Sequence, residues 1–446
     1  MKFLSRLKLF LLVIGDIVSM YISLTLMLLI RYRSSFNIEL FHYHLLPFTL
    51  LFIIWLGLFY ITGFYDLKNL KNNFVFKKDF SILLSICLIS GITFFYLIPV
   101  FRIAPKTNMA IFFIIFGIAG YGWRYLYNEA LSRTIPPVRV SIIGNNSDVE
   151  VLINYINLNP QLGYSIERWI KNIDNGHEPA DIFIGNILQT DIELLVIPSY
   201  FKRDKALVKL IYDAMLRNID IIDISTFYEE IFSKIPISEL EEAWLIENLR
   251  NQHYLFDELK RPVELVSAIL LLVILFPLML PIAIIIKITS KGNIIYRQKR
   301  IGRYEKEFMF YKFRTMIRHA EKDGPRWAEE DDTRVTLFGR ILRYTHIDEL
   351  PQLINIIKGE LSFVGPRPER PEFVRELKSK IPFYEIRHIV KPGITGWAQI
   401  NYRYAASIDE TYEKLQYDIY YLKRRSMMLD ILILIKTIKT FFINPM

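Results

Sequence analysis

The chain has 446 residues, 52% of them hydrophobic, with a mean hydropathy of +0.24, which excludes an ordinary water-soluble protein and leaves room for two or three domains. The net charge of +9 suits an anionic membrane surface or a phosphorylated substrate, and the membrane segments remove nucleic acid as a partner. A single cysteine, Cys87, excludes an intramolecular disulfide and a cysteine-based zinc site.

Four apolar stretches come first, at Leu9–Ile30, Leu45–Gly63, Phe80–Val100 and Met109–Tyr127. Each approaches the ~20 residues that a helix needs to cross a bilayer. The first is too long, and lacks the small-residue cleavage site, for a signal peptide. Lys2, Arg6 and Lys8, with Lys68, Lys71, Lys77 and Lys78 after the second stretch, outnumber Arg31, Arg33, Arg102 and Lys106 in the other two loops. That bias predicts a cytoplasmic N-terminus and a cytoplasmic exit from the fourth span. Asp16, inside the first span, is costly in lipid and is expected to face another helix.

Residues 1–130 thus form a four-helix transmembrane domain, and 131–250 read as a cytoplasmic α/β domain. Its strand Val138–Ile143 runs into Gly144-Asn145-Asn146-Ser147-Asp148 and a helix. A strand at Leu194–Pro198, a helix near Asp204–Arg217 and a strand at Ile219–Ile224 follow. The alternation predicts a parallel sheet of Rossmann type. Only the first glycine of the dinucleotide fingerprint is present, so the domain reads as degenerate, structural or regulatory.

Residues 251–446 open on a fifth apolar stretch, Val263–Ile286, with Pro277 and Pro281 inside it. An interior proline removes a helical hydrogen bond. Lys260 and Arg261 before the stretch, and Lys287 and Lys291 after it, put positive charge on both flanks. The pattern predicts a re-entrant membrane helix over 263–286, with a plain fifth span as the competing topology.

Beyond it lie Lys312 and Arg314 among aromatic residues, the run Asp348-Glu349-Leu350-Pro351-Gln352, the turn Gly365-Pro366-Arg367-Pro368, and Lys391-Pro392-Gly393-Ile394-Thr395-Gly396. Pro351 suits a first helical turn, so a helix is expected at or just after Asp348. An N-cap aspartate is the competing reading of that segment alone. Arg340, Arg343, His346 and Lys358 surround the acidic pair in sequence. Two carboxylates among cations can hold a divalent metal on a diphosphate, and one can act as nucleophile. Arg367 between two prolines presents a guanidinium with little freedom to lose, which suits phosphate. Lys312 and Arg314, two apart, would share one face of a strand as a phosphate clamp or a solvated face. Asp331-Asp332 reads as solvated. Leu429–Phe442 has the spacing of an amphipathic helix, suited to a membrane interface or to the domain's own core.

These pieces, in this order after a proline-broken apolar segment, closely resemble the bacterial sugar transferase family, the monotopic polyprenyl-phosphate hexose-1-phosphate transferases. The match runs from about Lys260 to the C-terminus, and the N-terminal plan resembles that of the larger members. The resemblance implies a mainly helical catalytic domain that joins a UDP-sugar to undecaprenyl phosphate and releases UMP. It assigns Asp348 as nucleophile and Glu349 as its partner, the two organising Mg2+, with Arg367, Lys312 and Arg314 as substrate contacts. It places the chain as a multi-pass protein of the bacterial inner membrane, its catalytic domain cytoplasmic, at the first membrane step of exopolysaccharide, capsule or O-antigen synthesis. It leaves a homodimer open and the sugar unnamed. Trp397 and Phe276 depart from the family's usual residues. Membrane-anchored nucleotide-sugar dehydratases share the N-terminal plan, but they need a Tyr-x-x-x-Lys pair that is absent after Lys260.

Overall fold

The computed structural model describes residues 2–65, 72, 74–101, 103, 105–134, 136–171, 191–203, 205–249, 254–289, 292–317, 334–402 and 407–443. Packing divides the chain into two units, Met1–Ile197 with Phe201–Ile221, and Pro198–Tyr200 with Ile222–Met446.

In the first unit, α1 (Lys2–Tyr32), α2 (Ile38–Ile61), α3 (Phe74–Leu97) and α4 (Pro105–Thr134) take up the four predicted stretches. Their shared core is aromatic: Phe48, Phe52, Trp55, Phe112 and Phe116 are buried, and Phe112 stacks with its ring centroid 5.7 Å from those of both Phe52 and Phe116. Ile14, Val18 and Ile22, one turn apart on α1, stay exposed, as a lipid-facing stripe does. Asp16 does face another helix. Arg124 of α4 binds it through Nε (3.1 Å) and Nη2 (2.5 Å), and the Tyr65 hydroxyl donates to it at 2.8 Å. The remaining Arg124 Nη1 donates to the Phe64 carbonyl at 3.0 Å. Both charged side chains are only 1% exposed, so neither has water as an alternative partner.

The same unit holds β1 (Val138–Ile143), α5 (Ser147–Asn157), β2 (Tyr164–Ile170), β3 (Leu194–Ile197), α6 (Lys205–Leu216) and the start of the edge strand β4 (Asp220–Asp223), whose last two residues belong to the second unit. The sheet order is β2-β1-β3-β4, and β1 runs parallel to both neighbours. After β1 the chain uses one glycine, Gly144 at φ 152°, and then an Asn146 side chain that caps α5 at the Val149 amide, 2.8 Å away. The Trp169 indole donates to the Gly144 carbonyl at 2.9 Å.

The second unit begins with α7 (Ile224–Phe232) and α8 (Glu242–Leu249). It continues through α9 (Tyr254–Thr289), the antiparallel pair β5 (Ile295–Ile301) and β6 (Glu307–Phe313), α10 (Leu337–Tyr344) and α11 (Gln352–Lys358). Then come β7 (Ser362–Val364), α12 (Pro371–Lys380), β8 (Gly393–Thr395) parallel to β7, α13 (Trp397–Asn401), α14 (Ile408–Arg424) and α15 (Met427–Ile443). Residues 222–249, placed by sequence with the α/β domain, pack here: Ile235, Trp244 and Leu249 share a core with Leu377, Leu415 and Ile419. The helix α9 runs uninterrupted through Pro262, Pro277 and Pro281. With α1 to α4 it makes five described helices long and apolar enough to cross a membrane.

The Asp16–Arg124 pair gives a test of the bundle. Asp16→Ala leaves a buried cation unpaired and is expected to cost about 3–5 kcal/mol, read as a lower unfolding midpoint in detergent. The double change Asp16→Leu with Arg124→Leu is expected to restore most of that loss.

Candidate active site

Lys312 is aimed by the β6 edge. Asn355 of α11, fully buried, accepts from the Tyr311 amide at 3.2 Å and donates to the Met309 carbonyl and to Glu360 Oε2, each at 2.7 Å. Only an edge strand leaves those backbone groups open to a side chain, and the bonds fix α11 against β6 beside the Lys312 position.

The acidic pair lies between α10 and α11. His346 adopts a left-handed conformation (φ 53°) and turns the chain into a 3-10 segment, Ile347–Glu349. The following helix starts at Gln352 with Pro351 at its cap position, so Asp348 is not the cap that a local reading allows. Asp348 is 5% exposed. Lys312 Nζ lies 2.6 Å from Glu349 Oε1 and 3.9 Å from Asp348 Oδ2, while Arg367 Nη2 lies 3.6 Å from Glu349 Oε1.

Arg367 projects from a loop that backbone contacts define. The Gly365 amide donates to Thr395 and the Gly393 amide to Pro366, both at 2.9 Å. A Cβ on Gly393 would stand 2.1 Å from the Gly365 nitrogen, and one on Gly396 2.3 Å from the Gly365 oxygen. Neither distance is possible without moving backbone. Arg387 Nη2 donates to the Arg367 carbonyl at 3.0 Å and pairs with Asp418 at 2.9 Å. Arg300 Nη1 donates to the Pro368 carbonyl at 3.1 Å.

The surroundings drive the two carboxyls apart. Burial lifts Asp348 to about 6, with Lys312 opposing and the Glu349 charge adding to the rise. Burial also acts to raise Glu349, but Lys312 and Arg367 outweigh it and hold that carboxyl at about 2. Burial keeps the neighbouring His346 below its ordinary value, favouring the neutral ring. Two adjacent carboxylates present hard oxygen ligands, the donor type that Mg2+ takes together with phosphate and water. Among the described residues no cluster of three or more His, Cys, Asp or Glu side chains forms a closed metal site.

Comparison with known proteins covers the region that holds this geometry. The sequence profile of the bacterial sugar transferase family matches residues 255–444. A UDP-glucose:undecaprenyl-phosphate glucose-1-phosphate transferase of Klebsiella pneumoniae is 31% identical over 349 residues, 74% of this chain and 72% of that protein. The chain belongs to the bacterial sugar transferase family. A UDP-N-acetylgalactosamine-undecaprenyl-phosphate N-acetylgalactosaminephosphotransferase of Aeromonas hydrophila is 41% identical over 225 residues, 50% of this chain and 53% of the relative. A UDP-glucose:undecaprenyl-phosphate glucose-1-phosphate transferase of Xanthomonas campestris pv. campestris is 42% identical over 175 residues, 39% of this chain and 36% of that protein. The aligned part thus spans about half the length of the Aeromonas transferase and about a third of the Xanthomonas one.

Of the residues singled out by sequence, the fold brings Asp348, Glu349, Lys312 and Arg367 together. Arg314 lies just past the end of β6, its guanidinium against Gly292, where a Cβ would stand 2.2 Å from Nη1. Asp331 and Asp332 lie outside the described residues. Trp397 is a packing residue: its indole donates to the Ser233 carbonyl at 2.8 Å and stacks on Tyr420. Sequence reasoning passed over Arg387 and Asp418, which hold the Arg367 loop, and took Lys260 and Arg261 only as basic flanks. Both reach inward. Lys260 donates to the Val364 carbonyl and pairs with Asp430, each at 2.8 Å, and Arg261 donates to the Ile356 and Ile357 carbonyls that end α11. Asp430 in an otherwise apolar run was the signal available.

Gly393→Ala tests the loop. The added methyl is expected to cost at least about 2 kcal/mol, read as a lower thermal midpoint, because the clash is with backbone rather than a movable side chain.

Proposed function

We propose that the chain transfers a sugar-1-phosphate from a UDP-sugar to undecaprenyl phosphate, releasing UMP, through an aspartyl intermediate. The observation that carries this reading is the buried Asp348–Glu349 pair, one carboxyl lifted towards neutrality and the other kept anionic by Lys312 and Arg367. The names of the Klebsiella and Aeromonas relatives support the same substrates.

A carboxylate oxygen of Asp348 attacks the phosphorus that bears the sugar. The bond from that phosphorus to the UMP oxygen breaks, and UMP leaves with the electron pair. A phosphate oxygen of undecaprenyl phosphate then attacks the same phosphorus and frees Asp348 as a carboxylate. Even with its pKa raised by burial to about 6, Asp348 is mostly ionised at pH 7. It therefore needs no separate base. Lys312 and Arg367, already drawn to Glu349, stand where the diphosphate oxygens arrive. Asp348 and Glu349 would hold Mg2+, which neutralises charge on the diphosphate and the departing UMP when bound.

The course of α9 supports the re-entrant topology. Arg261 near one end reaches α11, Ala268 packs with Phe308 and Leu353, and Ile282 and Ile286 pack with Phe313 and Leu342. At 1.5 Å per residue, 261 to 286 spans about 38 Å, more than the ~30 Å hydrocarbon core. Contact with one globular unit along that length supports a helix that does not cross the bilayer on its own. Its other face leaves Val266, Leu270 and Val273 exposed, as lipid contact requires. This topology puts the catalytic unit on the cytoplasmic side of the inner membrane, where UDP-sugars are made, at the start of a surface polysaccharide. The parallel pairing of β1 with β2 and β3, followed by the single Gly144, supports reading the first unit's sheet as a degenerate Rossmann-like domain.

Purified protein is expected to turn over a UDP-sugar only with undecaprenyl phosphate and Mg2+ present. Asp348→Asn should lower UMP release by roughly three orders of magnitude or more and abolish a labelled sugar-phosphate adduct; near-normal turnover overturns the covalent mechanism.

Cysteine labelling reads the topology, with Cys87 buried as a silent background. Leu259→Cys and Ile288→Cys, at exposed positions near the two ends of α9, should both react from the cytoplasmic face. Reaction from opposite faces means a plain fifth span.

A further inference from the structure

Tyr296 of β5 sets an aromatic ring beside the cations of the acidic pair. In the antiparallel pairing of β5 with β6, Tyr296 and Lys312 are direct partners. Direct partners hold their Cβ atoms about 4.5–5.5 Å apart on one face of the sheet. The same face continues through Gln298 and Arg300 on β5 and Phe310 on β6. The Gln298 amide donates to the Tyr296 hydroxyl at 3.0 Å, and Arg300 ties this face to the Arg367 loop through the Pro368 carbonyl. Lys312 reaches Glu349 from it at 2.6 Å. The ring, both cations and the acidic pair therefore border one surface. That surface is open: Tyr296 is 39% exposed, and the side chains of Arg367 and Lys312 are 42% and 21% exposed.

A flat base is held by stacking on an accessible aromatic side chain. Neighbouring tyrosines do not offer one to a substrate arriving from water. Tyr384 is fully buried. Tyr311 points to the other face of β6, where Lys358 Nζ and Arg297 lie 4.7 Å and 5.8 Å from its ring centroid. Tyr344 is exposed, but it continues an apolar stripe with Leu337 and Ile341 on α10, which suits lipid. Tyr296 is exposed among Gln298, Arg300 and Lys312, a polar setting. We propose that Tyr296 stacks on the uracil of the donor, its ring oriented by Gln298, while Lys312 and Arg367 meet the phosphates. The inference rests on the proposed reaction and deepens it, since Tyr296 becomes the residue that recognises the nucleotide end. Stacking on the base is the same before and after the phosphorus–oxygen bond breaks. Tyr296 therefore strengthens binding of donor and UMP alike and leaves the chemical step to the acidic pair.

The test uses the full chain in detergent with Mg2+. UMP, and ribose 5-phosphate, which lacks the base, are titrated directly onto the parent, Tyr296→Ala and Tyr296→Phe. Turnover is then measured with the UDP-sugar that a donor panel identifies. Loss of the stack in Tyr296→Ala is expected to weaken UMP binding and raise the donor KM by about fivefold to a hundredfold. Ribose 5-phosphate should bind the variant within about twofold of the parent, kcat at saturating donor should change far less than kcat/KM, and the acceptor KM should hold. Tyr296→Phe keeps the ring and should retain most of the UMP affinity. Equal weakening of UMP and ribose 5-phosphate marks a general distortion of the site and overturns the inference. A raised undecaprenyl phosphate KM with unchanged UMP affinity assigns the ring to the lipid and overturns it too, as does an unchanged UMP affinity alone. If Tyr296→Ala does not fold, Tyr296→Leu must weaken UMP binding and Tyr296→Trp must keep it for the inference to stand. A parent that binds UMP through Tyr296 but releases it from no UDP-sugar refutes the proposed reaction instead, a distinct result.

Discussion

The second unit depends on a charged cluster at the root of its membrane helix. Lys260 Nζ is 2.8 Å from Asp430 Oδ2 and 3.8 Å from Glu264 Oε1, and Glu264 accepts from the Ser362 hydroxyl and from the Phe363 amide at 3.2 Å. Tyr421 joins it through the Asp430 carboxylate at 2.9 Å. Ions this buried do not stabilise a fold merely by being paired; their desolvation is offset only when every partner is in place. The cluster therefore specifies one arrangement of α9, β7 and α15. One residue beyond β7 begins the loop that carries Arg367, and on the next turn-side Arg261 holds the closing carbonyls of α11, whose first turn follows the acidic pair. The membrane helix thus fixes both halves of the site.

Electrostatics then divides the labour inside the acidic pair. The carboxyls are sequence neighbours and both largely buried, yet Lys312 sits 2.6 Å from one and 3.9 Å from the other. That difference of little more than an ångström gives Glu349 a hydrogen-bonded counter-ion and leaves Asp348 with a longer-range one. Glu349 stays charged and keeps the cations in register. No described residue donates a hydrogen bond to Asp348, which leaves its carboxylate accessible to a substrate. Adjacent carboxyls with separated pKa values are the usual mark of separate roles.

Much of this was legible in the sequence, for reasons specific to each part. Apolar length gave the four long helices of the first unit and the long α9, all of them long and apolar enough to cross a membrane. The strands β1, β3 and β4 showed as short apolar runs between turns. Motif spacing gave Asp348, Glu349, Lys312 and Arg367. What stayed hidden are pairings between distant residues: Arg124 with Asp16, Lys260 with Asp430, Arg387 with Asp418. A lone charge in a sequence reads as surface or flank, since its partner lies 108, 170 or 31 residues away. Nor could hydropathy assign residues 222–249, whose Ile235 and Trp244 meet their core only once α12 and α14 are in place. Pro277 and Pro281 read as a break within the apolar segment, but a proline removes a single bond and neighbouring turns carry α9 past both.

The proposed reaction adds a constraint that this architecture meets. Its donor comes from water and its acceptor from lipid, and both must reach one phosphorus. A soluble domain tethered by a flexible anchor would have to find the bilayer surface anew at each turnover. Here the helix with the lipid-exposed face of Val266, Leu270 and Val273 is the same helix whose opposite side, at Ala268, packs against Leu353 and Ile356 of α11. The acidic turn that opens into α11 is therefore held at a fixed depth relative to that lipid face. In the proposed reaction the aspartyl intermediate lets the two substrates, one from water and one from lipid, arrive one after the other.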